Sequence, residues 1–482
     1  MQFVIPISRH GEPLSRQIYS GLRRAILTGT LRSGERLPST RDLAEQLAVS
    51  RTVVLLAYDQ LLAEGFVFGR GGSGTYVAEG LHSARPRTPR NPAKLRLSRF
   101  GAFAEQAAPD FPEKPAKSLP FDFSYRRSPV EGFPLDAWQR ILLRRARKAS
   151  AAKHEYGPPA GSPALREAIA AHLRRARGVV CDTSQVIIVN GSQQALDLAA
   201  RVLMERGDRV AIEDPQYQGA REVFRAAGAR LHPVAVDADG LDPARLPDRA
   251  RLAFVTPSHQ FPTGTILPLA RRFALLEWAR RANAAVIEDD YDGELHYDGQ
   301  PVESMQGLDT EGRVVYVGTF SRTVYPALRI GYLVAPQSLV APFTAAKWLC
   351  DRHTPTLEQE TLAEFITSGA YERHLHRARR ENAKRRAALL EAIDAYLPDV
   401  TVTGDRSGTH VVLWPQLRSA GRRGQSAEEK IIARAAAAGV GVYGISRYAI
   451  HPRAPGLILG YSRMSEEEIR EGIRRLGSVL TS

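Results

Sequence analysis

Several positions between residues 191 and 329 carry groups that together could hold a flat, phosphorylated ring. Gly191-Ser192-Gln193 follows the apolar run VIIVN and opens a helical pattern. The first N–H groups of a helix lack intrahelical partners and its dipole end is positive, so a phosphate fits there; an ordinary helix start fits equally well. Tyr217, in EDPQY, can stack on a ring or pack in a core. Asp289 closes the apolar run AAVIEDD. A carboxylate there can pair with a protonated pyridine nitrogen, cap the strand, or ligate a metal. Tyr291 can hydrogen-bond a ring hydroxyl. Ser321 and Arg329 can hold a phosphate, the arginine through its forked donors. Taken singly, each of these has an ordinary structural reading.

What gives them weight is the elements that would carry them. Strand-like runs alternate with helical patterns from residue 119 onward, which predicts an α/β domain with a largely parallel sheet. The runs VIIVN, RVAIEDPQY, RLAFVTPSHQFPTG, AAVIEDDYD and RVVYVGTFS all end on polar residues. Such sheets bind ligands beyond the carboxyl ends of their strands.

The first 80 residues read differently. Gln17 to Thr28 predicts a helix, with Ile18, Leu22 and Ile26 at helical spacing and Gly29 after its end. Thr40 is expected to cap a short helix over Arg41–Leu47, and Ser50 a second one running to Glu64. Phe66–Phe68 and Thr75–Val77 predict two short strands around GRGGSG. Two helices joined by a tight turn and followed by a hairpin make a winged helix-turn-helix. Ser50, Arg51 and Thr52 would then enter a major groove, Arg41 would touch the backbone, and Arg70 with Gly71 and Gly72 would bring the wing to a phosphate or the minor groove.

The chain has 482 residues and a formal charge of +14. Residues 1–100 hold 15 Lys+Arg against 7 Asp+Glu, which favours a polyanionic partner for that end. Residues 81–118, rich in Pro, Ala and basic side chains, predict an extended tether, whose basic part Arg85–Arg99 could touch flanking DNA. No apolar run is long enough for a membrane span, and MQFVIPISRHGEPL lacks the layout of a secretory leader. Cys181 and Cys350 make no disulfide framework. A cytoplasmic setting is expected, without membrane association. No metal site is expected. Lysines number eight, and none lies between Lys153 and Lys347.

Two resemblances follow. LPSTRDLA, SRTVVLLAYDQLLAEG and GSGTYV resemble the GntR-family DNA-binding domain. YGPPAGSPALREAIAAHLRRARGV, VNGSQQALDL, EDPQY, TPSHQFPTG, IEDDYDGE and GTFSRTVYPALRIGY resemble, in that order, the MocR/GabR-type transcription regulators, whose second domain is similar to fold-type I pyridoxal-phosphate (PLP) aminotransferases. The resemblance implies a GntR-like winged helix (1–80), a linker (81–118) and an aminotransferase-like effector and dimerisation domain (119–482), the last made of a large domain and a small C-terminal α/β domain. It implies a homodimer, double-stranded operator DNA as partner, and a small amine or vitamin B6 effector. It carries the pyridine nitrogen to Asp289, the ring hydroxyl to Tyr291, stacking to Tyr217, and the phosphate to Ser321 and Arg329, beside the helix start at Gly191, Ser192 and Gln193, with Tyr156 reaching the partner's phosphate.

This chain departs from that family at two positions. Arg322 stands where the family has the lysine that bonds to PLP, and a guanidinium with a pKa of about 12 or more neither attacks an aldehyde nor shuttles a proton. Ile458, in GLILGYSRM, stands where amino-acid-binding members carry an arginine for the substrate carboxylate; Arg447, Arg453 and Arg463 are the substitutes to consider. The expectation is therefore a regulator that binds PLP or pyridoxamine phosphate without a covalent bond, Arg322 included in the site. An aminotransferase with an accessory DNA-binding arm, or a ligand-free DNA-binding dimer, is the alternative.

Overall fold

The computed structural model describes residues 5–80, 95–107, 119–125, 132–148, 155–297, 303–415 and 424–481, in two compact units, Met1–Leu97 and Ser98–Ser482.

In the first unit, α1 (Leu14–Thr28), α2 (Thr40–Gln46) and α3 (Arg51–Ala63) precede an antiparallel hairpin of β1 (Val67–Arg70) and β2 (Gly74–Val77). Ile18, Leu22 and Ile26 lie on one face of α1 and bury against Leu43, Val54, Tyr58, Leu61, Val67 and Val77. The helix starts three residues earlier than its apolar spacing predicts, because the Pro13 carbonyl already accepts from Arg16 and Gln17 N–H at 2.9 and 3.1 Å. The caps also differ from expectation. Ser39, not Thr40, caps α2 by accepting from Asp42 N–H at 3.1 Å, so Thr40 is already helical. Ser50 holds the extended N-cap backbone of α3 but makes no capping bond.

Of the expected tether, residues 81–94 and 108–118 lie outside the described residues. Between them, α4 (Arg99–Ala107) is a helix rather than extended chain. A packing partner distant in sequence explains it: the Phe103 ring lies 5.3 Å from the Arg225 guanidinium of the second unit's own helix α8, introduced below.

In the second unit, β3 (Phe121–Asp122), α5 (Leu135–Arg147), α6 (Pro163–Arg177), β4 (Val186–Val189), α7 (Ser192–Leu203), β5 (Arg209–Asp214), α8 (Gln218–Ala226), β6 (Arg230–Asp237), β7 (Gly240–Leu241), β8 (Leu252–Val255), α9 (Leu269–Ala282), β9 (Ala285–Asp290), β10 (Val314–Thr319) and β11 (Gly331–Val334) build the large domain. Its eight-stranded sheet runs β4-β11-β10-β9-β8-β5-β6-β7. Strands β10, β9, β8, β5 and β6 are parallel, and β11 and β7 pair antiparallel with their neighbours. The strands VIIV, LAFV and VVYVGT are buried at every residue, as a sheet covered on both faces requires. Helix α7 covers one face with Ala195, Leu196, Leu198 and Ala199. Leu275, Trp278 and Ala279 of α9 belong to a separate core with Ala211, Ala253 and Val286.

The chain then continues through α10 (Val340–Asp351), α11 (Thr356–Thr367) and the long α12 (Ala370–Tyr396). A smaller domain follows, from β12 (Thr401–Thr403), β13 (His410–Trp414), α13 (Gly424–Ala437), β14 (Val440–Gly441), β15 (Tyr443–Gly444), β16 (Leu457–Gly460) and α14 (Glu466–Thr481). Its antiparallel sheet runs β12-β13-β16-β15. Strand β3, although early in the chain, belongs with this smaller domain, where it pairs in parallel with β14 in a separate two-stranded sheet. No helix among the described residues is long and apolar enough to cross a membrane.

Candidate functional site

The loops that follow β4, β5, β8, β9 and β10 converge on a cleft of about 620 Å³. Ser192, Gln193, Tyr217, Asp289, Tyr291, Ser321, Arg322 and Arg329 all line it, with Tyr125, Gln218, Gly219, Thr256, Phe261, Thr319, Pro326 and Tyr448. The sheet thus brings together side chains that stand up to 137 residues apart (192 to 329) at the carboxyl ends of its strands, where a switch-point ligand sits.

One end of the cleft is built for an anion. Gly191 caps α7 with φ +81° and no side-chain bond, and Ser192 and Gln193 of the first turn line the cleft. Arg329, in the left-handed region at φ +53°, donates from Nη2 to the Asn190 carbonyl at 2.9 Å. Its guanidinium lies so close to Gly191 that a Cβ there would stand 2.6 Å from Nη2. Glycine at 191 is therefore required twice, for backbone conformation and for the arginine's approach. Ser321 is set nearby by Thr319, whose hydroxyl lies 3.0 Å from Ser321 Oγ and accepts from its N–H at 3.1 Å.

The middle of the cleft suits a flat ring. Gln193 donates to the Gly219 carbonyl at 3.1 Å and accepts from the Tyr217 hydroxyl at 3.2 Å, which fixes the Tyr217 ring. Asp289 is 4% exposed, and its Oδ1 has no hydrogen-bond partner. Burial, reinforced by Asp290, Asp292 and Glu213 and opposed by Arg322, pushes its carboxyl up to about 7. A carboxylate so placed lacks a donor, and a protonated ring nitrogen is one. Behind it, Asp290 is neutralised by Arg177 at 2.8 Å and accepts from the Tyr316 hydroxyl at 2.6 Å, so the two adjacent acids have different partners.

Arg322 enters from β10. Its Nη1 donates to the Tyr125 carbonyl at 2.7 Å, and its guanidinium carbon lies 5.9 Å from the Tyr291 ring centre. The lysine at 347 does not replace it: Lys347 is buried on α10, paired with Asp351 at 2.5 Å, and outside the cleft lining.

Sequence reasoning missed part of this site. His259 Nδ1 lies 3.0 Å from the Tyr291 hydroxyl and 2.9 Å from Asp292 Oδ2, so it orients the tyrosine. With Asp292 and His410 it forms a buried trio whose ligand atoms lie within 4.8 Å of one another. His410 is turned away, its Nε2 against the Pro262 carbonyl at 3.0 Å, and burial beside His259 holds its pKa well below the usual imidazole range. The only sequence signal was the TPSHQFPTG motif itself. Tyr125, Phe261 and Tyr448 were missed because they come from three separate regions and meet only in the fold. They form an apolar group with Val412, Ile445 and Ile458.

The substitute arginines are not brought into the cleft. Arg447 is exposed and reaches Gln218 Oε1 at 3.5 Å. Arg453 contacts the Asp214 carbonyl at 3.4 Å and stacks 5.2 Å from Trp414, and Arg463 is exposed. Tyr156 is also apart: it is 77% exposed, with the Arg352 guanidinium 4.8 Å from its ring.

On the first unit, Arg41, Ser50, Arg51, Thr52, Arg70, Gly71 and Gly72 are all exposed. Arg51 Nε lies 3.3 Å from Thr40 Oγ1, tying the start of α3 to the start of α2. Arg70 lies over Phe68 and Tyr76 at 5.7 and 5.5 Å, and Gly72 takes φ +73° at the wing tip.

Comparison with known proteins bears on both units. The aminotransferase class I and II family pattern matches residues 131–476, and that of the bacterial regulatory proteins of the gntR family matches residues 14–77. Over 475 residues the chain is 39% identical to the probable rhizopine catabolism regulatory protein MocR of Rhizobium meliloti, covering 97% of this chain and 93% of that protein. Over 470 residues it is 31% identical to the HTH-type pyridoxine biosynthesis transcriptional regulator PdxR of Corynebacterium glutamicum, covering 95% and 94%. Among solved structures, the kynurenine aminotransferase of Pyrococcus horikoshii, in complex with PMP, superposes with a TM-score of 0.69 at 27% identity, over 80% of this chain and 95% of that one.

Proposed function

Because the chain belongs to the MocR-type transcriptional regulators, which join a gntR-family DNA-binding domain to an aminotransferase class I and II domain, we propose that its large domain senses a phosphorylated pyridine compound of the vitamin B6 type and holds it without a covalent bond. The observation that carries this reading is Asp289, whose buried oxygen lacks a donor at the wall of a cleft that also contains Arg322 and Arg329. Pyridoxal phosphate, when bonded to a lysine, supplies an electron sink for amino-acid chemistry. Here the side chains would bind and orient only.

In this reading Asp289 accepts from the pyridinium N–H, Tyr291, held by His259, bonds the ring hydroxyl, and Tyr217 stacks on the ring. The N–H groups after Gly191, with Ser192, Gln193, Ser321 and Arg329, take the phosphate. The guanidinium lone pairs of Arg322 are delocalised, so it bonds without attacking. The exposed Tyr156 is then available to a second copy's phosphate in a homodimer. The winged helix reads double-stranded operator DNA through Ser50, Arg51 and Thr52 at the start of α3, with Arg41, Arg70 and Gly72 on the backbone. The PdxR relative, a regulator of pyridoxine biosynthesis, supports a B6-type signal.

The test is an absorbance spectrum and a thermal melt with added pyridoxal phosphate. Stabilisation of the wild type without a lysine-type long-wavelength band is expected, because a ligand specific to the folded state stabilises it by mass action. Absence of any stabilisation would reduce the large domain to a scaffold.

A further inference from the structure

The anchors named above account for three of the ring's four polar features. Asp289 lies at the nitrogen, Tyr291 at the ring hydroxyl, and Arg329 with the start of α7 at the phosphate. In a B6-type ring the remaining substituent, on the 4′ carbon, sits between the hydroxyl and the phosphate arm. Arg322 lines the same cleft as both corresponding anchors, with its guanidinium 5.9 Å from the Tyr291 ring. The 4′ substituent is also the group by which the natural forms differ, being an alcohol, an aldehyde, an amine or a carboxylate.

Two cationic side chains, Arg322 and Arg329, line the cleft against a single acid, Asp289. Arg329 has its place at the phosphate end, beside Gly191. The one hydrogen bond that Arg322 makes, at 2.7 Å, goes to a neutral backbone carbonyl, and it forms no ion pair among the described residues. A guanidinium has five N–H donors in a planar fork, and Arg322 lines the cleft, so donors beyond that one bond remain for a ligand. Ile458, at the position where a carboxylate-binding arginine is expected, is fully buried among Tyr125, Phe261, Val412, Ile445 and Tyr448 and supplies no donor. Among the described residues the cleft lining therefore holds two forked cations, Arg329 at the phosphate end and Arg322 beside Tyr291, while exposed Arg447 stands at the rim, 3.5 Å from Gln218 Oε1 and 5.4 Å from the Tyr448 ring.

We propose that Arg322 makes the cleft selective for a phosphorylated pyridine that carries a carboxylate on its 4′ carbon, the oxidised form of the vitamer, over the aldehyde and above all over the amine. This rests on the B6-type reading given above and chooses within it. A carboxylate accepts two parallel N–H bonds from a guanidinium and brings an opposite charge, where an aldehyde oxygen is a single acceptor without charge. An ammonium at the same place meets a like charge. The reaction class that must supply such a ligand is a two-electron oxidation of the 4′ aldehyde by a separate enzyme, in which water provides the added oxygen and a hydride acceptor takes the electrons.

The experiment is isothermal titration of the full chain at pH 8 with three probes: pyridoxamine 5′-phosphate, pyridoxal 5′-phosphate and the 5′-phosphate of 4-pyridoxic acid. The acid is expected to bind at least tenfold tighter than the aldehyde, with the amine weakest. In Arg322→Gln the ratio of acid to aldehyde affinity is expected to collapse to within about threefold, while a thermal melt reports that the variant is folded. Equal or tighter binding of the amine by the wild type, or a ratio that survives in Arg322→Gln, overturns the selectivity and leaves the B6-type reading standing. Binding of none of the three overturns that reading and this inference together.

Discussion

Replacing Asp289 by asparagine should raise the stability of the ligand-free protein at alkaline pH while weakening its ligand. The carboxyl rises from the ordinary 3.8 to about 7 on folding. At 1.36 kcal/mol per pH unit, keeping it ionised in the fold costs about 4 kcal/mol. A group whose folded pKa is raised binds more protons when folded. Its penalty is thus absent below about pH 4, grows as pH rises, and is complete above about 7. Asparagine removes the charge but leaves a buried polar group unpaired, at a cost of about 1–3 kcal/mol. The net gain for the ligand-free variant at pH 8 is then about 1–3 kcal/mol, and at pH 5 it shrinks toward zero or reverses. In a domain of this size that is a rise of about 2 °C per kcal/mol, or less, in Tm. Ligand binding moves the other way, because the charge-assisted bond to the ring nitrogen is lost, about 1.5–3 kcal/mol, or roughly ten- to a hundredfold in Kd. Scanning fluorimetry at pH 5 and pH 8, with and without pyridoxal phosphate, reads both. A variant that loses stability equally at both pH values, or keeps the full ligand-induced shift, would refute the argument.

Arg322→Lys should restore a nucleophile at the 4′ carbon, so that borohydride traps pyridoxal phosphate on this variant by mass spectrometry and not on the wild type; no trapping in the variant would mean the cleft does not present the aldehyde to position 322. Gly191→Ala puts a Cβ 2.6 Å from Arg329 Nη2 at φ +81°, and should cost about 1–3 kcal/mol together with most phosphate-dependent binding; unfolding by urea and titration with pyridoxal phosphate check both, and an unaffected variant would place the phosphate elsewhere. Arg51→Ala should weaken operator binding and reduce the slope of log K against log salt by about one, if the residue meets a phosphate; an unchanged slope with altered preference among operators would instead assign it to a base edge.

The parallel sheet was legible because its strands are short apolar runs that stop at polar residues, and the cleft residues Asp289, Tyr291 and Arg322 occupy those stops. The winged helix was legible from the spacing of Ile18, Leu22 and Ile26 and from glycines at its turns. Caps were less so: Ser39 and Thr40 are both good cap residues, and only the geometry of the Asp42 N–H separates them. Helix α4 escaped notice because its order comes from Phe103 meeting Arg225, a contact across more than a hundred residues that no local periodicity announces. The roles of His259, Tyr125 and Tyr448 were hidden for the same reason, since each gains meaning from a neighbour far away in sequence.

Helix α8 has a mechanical consequence. Its N-cap is Tyr217, its first two residues, Gln218 and Gly219, form the cleft wall, and its last turn holds Arg225 against α4. Nine residues at 1.5 Å each make a rod about 13 Å long. A hydrogen-bonded rod of that length transmits displacement without absorbing it. Tyr217 and the seat of α4 are therefore two ends of one strut, so a displacement at one end of α8 is carried to the other.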